Sequence, residues 1–83
     1  MDLTQERIDI LTQALEHRQR EVMHHQINID NYTLAIAEIE ANHADEEPLV
    51  EFATRLKDLL ASSIVEQAKE QILLKVIRDQ LEG

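Results

Sequence analysis

The residues of this chain best suited to chemistry are glutamates and histidines placed one helical turn apart. Glu21 and His24 have the spacing Glu-x-x-His, and two further glutamates, Glu66 and Glu70, occur in the second half of the chain. A glutamate and a histidine three residues apart on a helix can hold one metal ion, and four-helix bundles that carry such pairs hold two. The pattern is therefore one candidate for a carboxylate and histidine metal site.

The position of this pair around its helix argues against that candidate. At 100° per residue, Glu21 lies about 60° and His24 about 120° from the centre of the apolar stripe described below, whereas His25 is central. Glu-x-x-His also arises by chance in an acidic chain. We interpret the region as a polar flank that consists of His17, Glu21, His24, Asn28 and Asn31. The sequence therefore predicts no metal site and no cofactor.

No other arrangement in the sequence is typical of an enzyme. The 83 residues include no Cys, one Gly and one Pro, and two long helices offer no concave pocket for a catalytic group. Seventeen acidic residues against eight Lys and Arg give a formal charge of −9, which repels nucleic acids and anionic membranes. We expect a protein that is not an enzyme and that binds neither nucleic acid nor membrane directly.

A seven-residue apolar repeat runs through the first half of the chain. Its members are Ile8, Leu15, Val22, Ile29 and Ile36, with no Gly or Pro between them. Only a long helix that packs along a partner helix keeps such a repeat on one face. A second apolar-periodic stretch follows a break near Pro48.

These stretches predict an all-α fold with a single domain over residues 1–83. We expect helix one at about 3–41 with Asp2 as its cap, a turn at 42–46, and helix two at about 47–82, capped by Asp45 or Glu47. Two helices of nearly equal length joined by a short turn form an antiparallel hairpin.

The hairpin register predicts which residues face one another. With the turn centred near residue 44, facing residues have numbers that add up to about 89, which pairs Ile36 with Ala53 and Arg18 with Glu70. Arg18 and His25 occupy seam positions, and we interpret them as polar residues that set the register. The contact face of helix two is expected to consist of Leu49, Phe52, Ala53, Leu56, Leu60, Ile64, Leu74 and Ile77.

Both helices carry more apolar surface than one hairpin can cover. Helices that are apolar on two faces need a further partner, and a second copy of the chain is the simplest one. The sequence thus predicts a homodimer that forms a four-helix, coiled-coil-like bundle. Its expected interface residues are Met23, Ile27, Leu34, Val65, Ala68, Ile72 and Val76.

Acidic residues are concentrated around the turn. They are Glu38, Glu40, Asp45, Glu46, Glu47 and Glu51, and residues 38–51 contain no Lys or Arg. The acids near the start of helix two favour its positive end, but Glu38 and Glu40 lie at the negative end of helix one, where they are unfavourable. We therefore predict that these six residues bind a partner protein, one with a basic surface. The alternative is a face that only improves solubility.

The favoured function is that of a small acidic interaction or regulatory protein. In size and shape the chain resembles small acidic helical hairpins found among phage and other mobile-element accessory proteins, although it shares no motif with them. An alternative is an acidic mimic of nucleic acid that inhibits a DNA- or RNA-binding protein, and a less favoured one is a metal-binding bundle. No apolar run reaches the roughly 18 residues of a membrane span, and residues 1–4 lack the features of a signal peptide, so we expect a cytoplasmic protein.

Overall fold

The computed structural model of the protein describes residues 4–83, which form two long helices. Helix α1 spans Gln5–Asn42 and helix α2 spans Glu47–Glu82. The helices pack side by side in a hairpin that measures 62 × 14 × 14 Å. The predicted all-helical fold and hairpin arrangement are thereby confirmed.

The start of α1 is capped by a side chain. Thr4 has extended backbone angles, and its hydroxyl accepts a hydrogen bond from the backbone N–H of Arg7 at 3.2 Å. This bond satisfies one of the N–H groups that the first turn of a helix leaves without a partner. Asp2, the cap expected from the sequence, and position 3, the expected start of the helix, lie outside the described residues.

Residues 43–46 connect the two helices. The N–H of His43 donates to the carbonyl of Ile39 at 2.8 Å, and the N–H of Glu46 donates to the carbonyl of His43 at 3.1 Å, which closes a tight turn. Glu46 is the N-cap of α2, so the expectation of Asp45 or Glu47 was wrong. Asp45 is still within the turn and Glu47 is already helical. The Glu46 side chain caps no backbone group and instead contacts Nδ1 of His43.

In each helix, buried or half-buried residues recur at alternating intervals of three and four, which is the coiled-coil pattern. Ala14, Glu21, Asn28 and Ala35 are also half-buried and border this series in α1. We call these residues the seam. In α1 they are Ile8, Leu11, Leu15, Arg18, Val22, His25, Ile29, Tyr32, Ile36 and Ile39. In α2 they are Leu49, Ala53, Leu56, Leu60, Ser63, Gln67, Glu70, Leu74, Ile77 and Leu81.

The fully buried core is confined to the half of the hairpin near the turn. Among the described residues, only Ile36, Ile39, Ala53 and Leu56 are buried, and they are 4–8 % exposed. Tyr32, Ala35, Leu49 and Leu60 pack against them. Towards the open end the seam residues are only half-buried.

Two residues expected on the contact face of α2 are not in the seam. Phe52 is 42 % exposed and Ile64 is 51 % exposed. The seam passes through Ala53 beside Phe52 and through Ser63 beside Ile64, because its intervals of three and four continue from Ala53 to Leu74. Ile64 is more hydrophobic than Ser63, but the positions around α2 place Ser63 in the seam and leave Ile64 exposed.

Candidate functional site

The middle of the seam is polar, and its groups bind one another. Nη1 of Arg18 donates to both carboxylate oxygens of Glu70, at 2.9 and 3.2 Å, and the two side chains are 32 % and 17 % exposed. Nε2 of Gln67 donates to the carbonyl of Val22 at 3.2 Å and to Oε1 of Gln26 at 2.9 Å. The predicted pairing of Arg18 with Glu70 is confirmed. These hydrogen bonds join the two helices across the middle of the seam.

The glutamates required for a metal site are engaged by basic side chains. Glu66 contacts Nζ of Lys69 at 2.9 Å, and Glu70 is held by Arg18. The hydrogen bond and the charge of Lys69 lower the pKa of Glu66. The exposed ring of His24 lies edge-on to that of His25, with centroids 5.8 Å apart. Within residues 4–83, no group of three or more His, Cys, Asp or Glu side chains is close enough to hold a metal ion.

The six acidic residues near the turn lie together at one end of the hairpin. We call Glu38, Glu40, Asp45, Glu46, Glu47 and Glu51 the acidic tip; all six are exposed. Glu38 accepts a hydrogen bond from the Asn42 side chain at 3.0 Å. The tip therefore presents several carboxylates to solvent on the last turns of α1, the connection and the first turns of α2.

A lysine from the third turn of α2 reaches the acidic tip, which the sequence did not suggest. Nζ of Lys57 lies 2.9 Å from Oε1 of Glu40, and both side chains are 57 % exposed. The hairpin places the third turn of α2 beside the last turn of α1, so a residue seventeen positions away contributes the base. Exposed ion pairs of this kind are worth about 0–1 kcal/mol, so Glu40 is only weakly held.

The hairpin exposes far more large apolar side chains than it buries. In the part of the chain that the structure describes, twelve large hydrophobic residues are at least 41 % exposed. They are Ile10, Met23, Ile27, Leu34, Val50, Phe52, Leu59, Ile64, Val65, Ile72, Leu73 and Val76. Apolar surface on this scale is typical of an interaction site.

The residues expected at a dimer interface lie on two opposite edges of the hairpin. Ile27 is two residues from the seam residues His25 and Ile29, which places it about 160–200° around α1 from both. Val65 stands in the same relation to Ser63 and Gln67 in α2. We call Met23, Ile27 and Leu34 the α1 outer edge, and Val65, Ala68, Ile72 and Val76 the α2 outer edge. Because these edges face away from each other, one flat contact cannot cover both.

Further exposed apolar residues lie beside the seam. Phe52, Leu59 and Leu73 flank it on one side of α2 and are 42–48 % exposed. The guanidinium of Arg55 lies over the Phe52 ring, 5.9 Å from its centre, and covers part of the ring. Their spacing of seven and fourteen residues places all three on the same side of α2.

Comparison of the chain with protein-family models, curated proteins and solved structures finds no match. Neither helix of the described region has a stretch long and apolar enough to cross a membrane.

Proposed function

We propose that this protein is a small, non-enzymatic interaction protein with a regulatory role, which acts in the cytoplasm as a homodimer of helical hairpins. The observation that carries this proposal is the ratio of four buried apolar residues to twelve large exposed ones among residues 4–83. A chain of this size has too little core to be stable without a further contact, and it contains no Cys to supply disulfides. Association with a second copy covers part of the exposed apolar surface.

In this proposal the acidic tip binds a second protein that has a basic surface. All six acids are exposed, and Lys57 contacts only one of them. Glu38 and Glu40 lie near the negative end of α1, where each costs about 0.3 kcal/mol or more at low salt. Charges gathered at one end of a rod also accelerate association with an oppositely charged partner.

The concentration of acids at the tip favours this local contact over a mimic of nucleic acid. A mimic needs uncompensated acids along its length, as in the phosphate backbone. Outside the acidic tip, eleven acids are interspersed with all eight Lys and Arg residues, and Glu66, Glu70 and Asp79 are each paired with one of these bases. A metal-binding bundle is disfavoured because Glu66 and Glu70, two of its required ligands, are paired with Lys69 and Arg18.

The test compares three tagged proteins in parallel affinity purifications from the native host. The first is the wild type, and the second carries Glu38→Gln, Glu40→Gln, Glu46→Gln and Glu47→Gln. The third is a matched control with four acids neutralised at the open end, by Glu6→Gln, Asp9→Asn, Glu16→Gln and Glu82→Gln. We expect the wild type and the control to retain a protein with a basic surface, and the tip variant to lose about 90 % of it or more.

Binding kinetics of the recovered partner then separate the alternatives. We expect the tip variant to lower the association rate more than it raises the dissociation rate, with helix content and dimer mass unchanged. Equal retention of the partner by all three proteins would show that the tip is only a solubilising face. Displacement of the wild type from its partner by duplex DNA or RNA would favour the mimic.

A further inference from the structure

Three residues of the α2 outer edge, Val65, Ala68 and Ile72, belong to a longer series of exposed residues whose spacing is symmetric. Val76 lies beside this series, next to Lys75. Extended at both ends, the series reads Asp58, Ala61, Val65, Ala68, Ile72 and Lys75, at intervals of three, four, three, four and three. All six residues are exposed, Val65 by 54 % and Ile72 by 64 %. The intervals are those of a coiled-coil face, and they are the same in either direction along the helix.

We propose that this face binds the same face of a second copy of the chain, with the two α2 helices antiparallel. The inference rests on the proposed function, because it specifies how the homodimer forms. When Asp58 of one copy faces Lys75 of the other, every residue of the series faces a residue of the same series on the second copy. We call each such facing pair a layer. The two-fold axis then passes level with the peptide between residues 66 and 67.

The side chains in these layers are complementary in size. In the antiparallel register Ala61 faces Ile72 of the second copy, and Val65 faces Ala68. Each of the four inner layers thus combines a small residue with a large one, which fills a helix interface at the usual axial separation of about 8–10 Å. A parallel pairing would place Val65 on Val65 and Ala68 on Ala68, so bulky layers would alternate with empty ones.

The charges favour the same orientation. In the antiparallel pairing Asp58 and Lys75 meet at both ends of the apolar block, whereas a parallel pairing brings like charges together. Asp58 forms no ion pair with any residue in the range 4–83. Lys75 contacts Asp79 at 2.7 Å on its own helix but is 75 % exposed, and its ammonium group has further donors for Asp58 of the second copy.

The α1 outer edge lacks these properties. Asp30 falls between Ile27 and Leu34 in the corresponding series, where it accepts a hydrogen bond from Gln26 at 2.9 Å. Pairing of this edge with its own copy would press a carboxylate against apolar side chains, which is unfavourable without a basic partner. We therefore assign the dimer contact to α2.

Site-directed cross-linking tests both which outer edge forms the dimer contact and how the two α2 helices are oriented. Cysteines can be introduced singly, because the chain contains no Cys. Ala61→Cys and Ile72→Cys are prepared as separate proteins, mixed, and treated with a short bis-maleimide that spans two helix surfaces. Met23→Cys and Leu34→Cys on the α1 outer edge form the matched control, because they are also eleven residues apart. We expect a cross-linked dimer when Ala61→Cys and Ile72→Cys are mixed, and none from either protein alone or from the control mixture.

Other results overturn the inference in distinguishable ways. Cross-linking of Ala61→Cys or Ile72→Cys with itself would show a parallel dimer. Cross-linking of the Met23→Cys and Leu34→Cys mixture alone would place the dimer on α1 and leave the proposed function standing. If no mixture cross-links and light scattering gives a monomer, both proposals are wrong.

Charge complementation supplies a second measurement on exposed residues that folding does not require. We expect Asp58→Lys and Lys75→Asp each to raise the dimer dissociation constant about tenfold, which sedimentation can detect. An equimolar mixture of the two should restore wild-type affinity, because both ends then pair opposite charges. Circular dichroism checks that each variant keeps its helix content, and a mixture no tighter than the separate variants overturns the antiparallel register.

Discussion

At the scale of single residues, the ion pair between Arg18 and Glu70 links sequence to register most directly. A slip of the hairpin by one heptad would bring Arg18 opposite Ile77 or Ser63. Glu70 would then lose its guanidinium while remaining largely covered, at a cost in free energy. The polar layer therefore opposes wrong registers, as a buried polar residue does in coiled coils.

Substitution of Arg18 tests this role. Arg18→Met leaves the mostly buried Glu70 carboxylate without a base, and we expect a loss of about 1–2 kcal/mol in the free energy of unfolding. The double variant Arg18→Met, Glu70→Leu should recover most of that loss, because it replaces both charged groups. Urea unfolding at a fixed protein concentration measures both effects. A double variant no more stable than Arg18→Met would show that the pair is not coupled.

At the scale of the helices, packing is uneven along the hairpin. The buried residues cluster near the turn, where Leu56 is 5 % exposed and the neighbouring Leu59 is 48 % exposed. Towards the open end, half-buried residues and the polar layer provide less apolar contact. Unfolding from the open end is therefore expected to require less free energy than unfolding from the turn.

Two substitutions three residues apart on α2 test this assignment. Leu56→Ala removes a buried side chain, and we expect it to lower the free energy of unfolding by about 2–4 kcal/mol. Leu59→Ala makes the same chemical change at a half-exposed position, and we expect a loss below about 1 kcal/mol. Denaturant midpoints of the two variants give the comparison. Similar losses at both positions would mean that the seam of α2 is rotated towards Leu59.

At the scale of the whole molecule, the opposite placement of the outer edges limits how copies can assemble. A symmetric contact through the α2 outer edge closes a dimer and leaves the α1 outer edge exposed. A contact between the α1 edge of one copy and the α2 edge of the next would not close and would produce open chains. The symmetric contact therefore predicts a discrete particle with free apolar surface on α1.

Light scattering coupled to size exclusion should give about twice 9.6 kDa at micromolar concentration. Val65→Asp and Ile72→Asp place a carboxylate in the proposed contact, so we expect each to shift the mass towards that of a monomer with a folded hairpin. Leu34→Asp on the α1 outer edge is the control and should remain dimeric. Dimers indistinguishable from the wild type for Val65→Asp and Ile72→Asp would exclude the α2 outer edge.

The sequence alone determined the two helices, their hairpin and its register. Each of these depends on periodicity within one helix or on the position of the turn, and the repeat from Ile8 to Ile36 contains that information. The sequence also located the acidic tip, because its six residues lie close together in the chain on both sides of the turn.

The tertiary structure decided that Ser63 and Gln67 enter the seam of α2, which base meets Glu40, and where the apolar stripes lie. The seam passes through Ser63 rather than Ile64, and Lys57 reaches across to Glu40. Ile27 and Val65 prove to lie on opposite edges. These features depend on the rotation of each helix about its own axis relative to the other. That rotation is determined by the packing of both helices together, and no repeat within one helix specifies it.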